Sequence, residues 1–149
     1  MMLWVYDDGG RARAGYAGRA RDCVVRAIAI ATGLPYKQVY MDLFEETKAN
    51  ERLMKRLASE GIKNVSPRYG VYKEVYRHYL EDHLGWKWYP TMHIGQGCTV
   101  HLRTEELPLG RIIVRLSRHL AAVIDGIIYD THDPSRNGTH CVYGYWKED

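Results

Sequence analysis

The chain has 149 residues, 46% of them hydrophobic, with 21 basic and 18 acidic side chains and a formal charge of +3. That length suits one domain with a real core and is short for two, and mixed charges beside abundant apolar residues are those of an ordered chain, with disorder expected only at the ends. No run reaches the length of a membrane span, and the start lacks the basic-then-apolar order of a secretory signal; a single cytoplasmic domain over residues 1–149, without a membrane partner, is expected.

In chain order, Leu3 to Tyr6 reads as an edge strand, followed by Gly9-Gly10 and a loop rich in Gly, Ala and Arg. This loop feeds the run from Arg21 to Gly33. Asp22 suits an N-cap whose carboxylate accepts first-turn N–H groups, and Gly33 suits a left-handed stop. Nearly every position between them is apolar, the mark of a helix buried all round. Pro35 opens a second helix, with Tyr36, Val39, Tyr40, Leu43 and Phe44 at helical spacing. Residues 47 to 68 are polar, with a weaker helical signal in Leu53, Met54 and Leu57.

Gly70 precedes a third apolar stripe, Tyr72, Val75, Tyr76, Tyr79 and Leu80, closed by Gly85. Aromatic stripes of this kind are usually core. Trp86, Trp88 and Pro90 suggest a short strand, and Gly95-Gln96-Gly97-Cys98 a loop that lets backbone approach a neighbour. Thr99 to Arg103 reads as a strand and Thr104 to Pro108 as a single turn. Arg111 to Leu116, Leu120 to Ile124, Ile127 to Thr131 and Cys141 to Trp146 then read as strands, with Ser117-Arg118 and Asp125-Gly126 as turns. Helices first and an antiparallel sheet afterwards define an α+β fold.

The Asp125-Gly126 turn fixes a register. If it is a two-residue loop, Ile124 faces Ile127, and counting outward sets Ala121 opposite Asp130 and His119 opposite His132. Side chains alternate along a strand, so His119, Ala121, Ile128, Asp130 and His132 share a face, with His119 and Asp130 as diagonal neighbours.

This geometry bears on Cys23 at the start of the buried helix. A helix N-terminus and a neighbouring imidazolium both stabilise a thiolate, and a carboxylate behind the imidazole fixes its tautomer. A cysteine in an apolar helix is more often simple core; the His119/Asp130 hairpin makes Cys23 a candidate nucleophile. Three cysteines at wide spacing do not form a disulfide framework, and a reducing compartment would keep them as thiols.

The order of Asp22-Cys23-Val24-Val25 with its helix, then Ser117 to Gly126 carrying His119, then Ile127-Ile128-Tyr129-Asp130, resembles the papain-like cysteine peptidase superfamily. The Asp-Cys pair resembles NlpC/P60-type cell-wall amidases, and His-strand-Asp-Gly-strand-Asp resembles C39-like bacteriocin-processing peptidases. The C-terminal half, through Gly85-Trp86-Lys87-Trp88 and Gly144-Tyr145-Trp146, is similar to uncharacterised phage and bacterial proteins. The resemblance implies an N-terminal buried helix carrying the cysteine on a C-terminal antiparallel sheet. It also implies a peptide or amide substrate, with Cys23 as nucleophile, His119 as general base and then acid, and Asp130 as orienter, without a cofactor. Cys-Gly-Ser-Cys-Trp is missing, and no glutamine precedes Cys23 to complete an oxyanion hole; Tyr16, Arg19 and Gln96 are candidate donors, and His132 is an alternative orienter or site-lining residue.

Three other readings compete. The fold could serve as a catalytically inactive binding or structural protein of phage or bacterial origin. A metal could be held by His132, His140 and Cys141, or by His93, Cys98 and His101, although neither set has a zinc-finger or metalloprotease spacing. Arg11, Arg13, Arg19, Arg21 and Arg26 could touch nucleic acid, although no recognition motif accompanies them.

Overall fold

The apolar run after Arg21 forms a helix, α1 (Cys23–Thr32), with Val24, Val25, Ala27, Ile28, Ala29 and Ala31 buried. Gly33 ends it in the left-handed conformation, its N–H on the Ala29 carbonyl. In this computed structural model, which describes residues 2–148, three further helices surround it: α2 (Tyr36–Ala49), α3 (Glu51–Ser59) and α4 (Lys73–His78), the last continuing through a π-helical turn, Tyr79–His83. The stripes expected on α2 and α4 are buried at Tyr36, Val39 and Leu43 and at Val75, Tyr76, Tyr79 and Leu80. The Tyr79 hydroxyl, donating to Asp42 at 2.7 Å, ties the two helices together.

Among the described residues six strands form one mixed sheet: β1 (Trp4–Tyr6), β2 (Trp86–Pro90), β3 (Arg111–Leu116), β4 (His119–Ile124), β5 (Ile127–Asp130) and β6 (Gly144–Glu148), in the order β1-β5-β4-β3-β6-β2. The fold is thus α+β. The sheet departs from the antiparallel expectation at one edge, where β1 pairs in parallel with β5. β6 begins at Gly144 rather than Cys141, and Thr99 to Arg103 contributes only an isolated bridge, His101 to Cys141. No helix among the described residues is long and apolar enough to cross a membrane.

The two faces of the sheet bury separate cores. Leu120 and Ala122 of β4, Ile113 of β3 and Trp146 of β6 face the helices. Ala121, Val123 and Ile128 face the other way, against Met2, Leu102, Leu107 and Val142. This is the period-two alternation of a strand buried on both faces. Trp146, fully buried, meets the Tyr76 ring edge-on at 5.7 Å and donates its indole N–H to Glu81 at 3.1 Å.

The β4–β5 turn has the expected register, Ile124 on Ile127 and Val123 on Ile128. Asp125 (φ +49°) and Gly126 (φ +79°) both take the left-handed conformation of a type I′ turn. Gly9 is a glycine for a different reason: a Cβ there would lie 3.2 Å from the backbone of Arg26, so the loop after β1 rests directly on α1.

Further expectations fail. Asp22 precedes α1, but its carboxylate makes no capping hydrogen bond. Buried to 2% exposure, it accepts the Tyr36 hydroxyl at 2.6 Å and pairs with Arg11 and Arg26. Cys98 and Cys141 are joined in a disulfide, leaving Cys23 as the free thiol among the described residues. The Gly95–Gly97 loop is exposed, and a Cβ on either glycine would meet nothing within 4 Å, so neither glycine is needed for a close approach on that side.

Candidate active site

His119 and Asp130 stand at adjacent strand ends, the first residue of β4 and the last of β5. The hairpin register that makes them diagonal neighbours lets the ring and carboxylate close the gap, His119 Nε2 lying 2.6 Å from Asp130 Oδ2. With Nε2 engaged, Nδ1 is the nitrogen left for a second partner. Cys23 is beside it: the first turn of α1 brings the thiol to His119 and the Leu120 backbone, close enough for both to act on its ionisation. His132 sits beside the pair, its ring 5.1 Å from that of His119 and its Nδ1 3.9 Å from Asp130 Oδ1.

Burial opposes ionisation of the thiol, but the hydrogen bond and charge of His119, the Leu120 backbone and the charge of Arg26 outweigh it and hold Cys23 below the usual thiol range. Burial likewise opposes the imidazolium; hydrogen bonds to Asp130 and Cys23 overcome it and push His119 up to about 9. Asp130, 3% exposed, stays below the ordinary carboxylate value despite burial because it accepts from His119 and from the Thr131 N–H and faces Arg26. These shifts have one sense: a thiolate and an imidazolium held side by side, with a carboxylate behind.

Cys23 and His119 open on a cleft of about 510 Å³. One side is built by Tyr72, Lys73 and Tyr76 around the start of α4, the other by Arg115 to Leu120 on β3 and β4, with Tyr143 beyond. Arg21, whose N–H is held on the Arg68 carbonyl at 2.7 Å, closes the end next to α1.

Of the other candidates, His132 lies near the pair, while Tyr16, Arg19 and Gln96 lie outside the cleft. Tyr16 packs its ring on Tyr36 and Tyr40, at 5.1 and 4.8 Å. Arg19 lines a neighbouring depression with Arg21, Arg68 and Tyr69. Gln96 is on the exposed loop. Both expected metal sets lose a member to the Cys98–Cys141 disulfide. The described residues whose ligand atoms converge are instead His119, Asp130 and His132, all within 4.8 Å of one another, but Arg26, 3.5 Å from Asp130, places a positive charge beside any cation there.

Two residues of the site escaped sequence reasoning. Arg26 bridges the Asp22 and Asp130 carboxylates, joining the base of α1 to the end of β5. Its signal was the Asp-to-Arg spacing of four on one helix. Tyr76 belongs to the aromatic stripe of α4, and its ring is core, but its hydroxyl reaches the cleft. Burial pushes that hydroxyl up, and Arg115 both opposes the rise by its charge and hydrogen-bonds to it, while the Cys23 thiolate adds to the rise.

No protein-family model, curated protein or solved structure matches the chain. Function therefore rests on the chemistry of this constellation.

Proposed function

We propose that the protein is a papain-like, cysteine-dependent amide hydrolase, a peptidase or amidase working through Cys23, His119 and Asp130. The observation that carries this reading is the joint placement of Cys23 and His119 on the wall of an open cleft, each acting on the other's ionisation, with His119 2.6 Å from Asp130. A structural or binding role would not require a lowered thiol on the wall of an open cleft.

The Cys23 thiolate attacks the amide carbonyl carbon, and the carbonyl electron pair moves onto oxygen. Collapse of this adduct breaks the C–N bond, and the departing amine takes the proton of the His119 imidazolium, leaving an acyl group on sulfur. Neutral His119 then accepts a proton from water as the water oxygen attacks the thioester. Collapse expels the thiolate, releases the carboxylic acid and restores the ion pair. Asp130 holds the ring in place throughout and is a positioning residue. Donors to the developing oxyanion are the Cys23 backbone N–H at the start of α1 and the Tyr76 hydroxyl, freed to donate because Arg115 supplies the bond to its oxygen. Cys98 and Cys141 do not line the cleft, so the chemistry is indifferent to their state and is compatible with a cytosolic setting, which would reduce them.

An activated ester tests the reading. p-Nitrophenyl acetate should release a burst of p-nitrophenol and leave one acetyl group on Cys23, removable by neutral hydroxylamine as a thioester is. No acetyl group, or an acetyl group on another side chain, would refute it. Tyr76→Phe should lower the turnover number by about 10²-fold while leaving the alkylation rate of Cys23 by iodoacetamide nearly unchanged, because alkylation develops no oxyanion.

A further inference from the structure

We infer that the cleft at Cys23 is selective for an anionic acyl substrate, a peptide segment with aspartate or glutamate flanking the bond to be cut. This deepens the reading of Cys23 as nucleophile and rests on it. Arg21, Lys73, Arg115 and Arg118 all line the cleft, and no carboxylate does. The depression beyond Arg21 and Tyr69 continues the pattern with Arg19 and Arg68 and again holds no acidic group. Composition does not account for this, since the whole chain carries 18 acidic residues against 21 basic ones.

The cations are also unspent. Among the described residues, Arg11 and Arg26 are paired with Asp22, whereas Arg19, Arg21, Arg68, Lys73 and Arg118 face no carboxylate within ion-pair distance. Arg115 stacks on Tyr143, 5.5 Å from the ring centre, and faces the Tyr76 hydroxyl. Lys73 is held below its ordinary value first by the charge of Arg115, then by burial and by Arg77. Like charges crowded without counter-ions raise the energy of the fold and gain a use when an anion binds between them. Phosphate backbones are anionic too, but the thiolate needs an acyl carbon, which a nucleic-acid backbone lacks; the chemistry therefore favours an acidic peptide.

Two measurements separate the substrate class from the nucleophile. In the first, the Cys23→Ala protein is titrated with an acetylated, glutamate-rich peptide and its glutamine counterpart, at low and high salt. The glutamate peptide should bind about tenfold more tightly at low salt, with the advantage lost in high salt and in the Lys73→Gln, Arg118→Gln double variant. Equal binding of the two peptides, or tighter binding of a single-stranded oligothymidylate, would overturn the inference. In the second, wild-type Cys23 is alkylated by iodoacetate and by iodoacetamide. Iodoacetate should gain on iodoacetamide, relative to the same pair of reagents acting on free cysteine. Labelling by iodoacetamide with no such gain overturns the anionic preference and leaves the nucleophile standing. Failure of both reagents overturns the nucleophile, while the peptide titration still decides whether the cleft binds acidic chains.

Discussion

Cys23→Ala should fold with unchanged helix and sheet content and lose roughly 10⁴-fold or more of any amide or ester turnover. Cys23 is partly exposed at the start of α1, against the cleft, so removing sulfur opens no sealed cavity. The chemical loss is complete by contrast, since neither alanine nor a backbone group can form the acyl intermediate. Because Cys98 and Cys141 are bonded to each other, the wild-type protein should take up one equivalent of iodoacetamide at neutral pH without reductant, and the variant none. Turnover surviving in the variant would place the nucleophile elsewhere.

Arg26→Met should destabilise the protein by about 3 kcal/mol, measured by denaturant unfolding near neutral pH. Arg26 is the cation between two buried carboxylates, Asp22 and Asp130. Asp22 keeps the Tyr36 hydroxyl and Arg11, and Asp130 keeps His119 and the Thr131 N–H, which places the loss at the low end of that for a broken buried pair. The substitution should also move ionisation of Cys23 to higher pH, because the charge of Arg26 helps to hold the thiol low. Acid should narrow the gap. Asp130 has a folded value below its unfolded one, so its contribution is present above the unfolded carboxylate range, near pH 4, and is lost as pH falls through the folded value. A merely structural arginine would alter stability without moving the thiol titration.

Local rules carried the sequence a long way where a single segment decides the outcome. The Gly33 stop, the Asp125-Gly126 turn and the apolar stripes of α2 and α4 need no distant partner, and the pairing of Ile124 with Ile127 follows from loop length alone. From that pairing came the closeness of His119 to Asp130. Asp22 has the propensity of a cap, but tertiary partners win: its carboxylate is sealed against Tyr36, Arg11 and Arg26 and makes no bond to the first turn.

Other features depend on contacts that spacing does not encode. Cys98 and Cys141 are 43 residues apart and meet because the loop after β2 folds back on the approach to β6. The parallel pairing of β1 with β5 joins residues more than a hundred positions apart, and neither segment announces the other. Gln96 fitted the chemistry of an oxyanion donor but sits on an exposed loop away from the cleft. Tyr76 fitted the core and belongs to both, its ring against Trp146 and its hydroxyl at the site; a residue with an apolar body and a polar tip is legible from sequence only as the first of these.

The central claim is that Cys23 and His119 form a thiolate–imidazolium pair, and the pH dependence of Cys23 alkylation tests it most directly. The rate of reaction with iodoacetamide should rise through an inflection below the ordinary thiol value of about 8.5, as the thiolate forms, and change again near pH 9, where His119 loses its proton. A single inflection at or above the ordinary thiol value would mean that Cys23 ionises without His119 and would contradict the account.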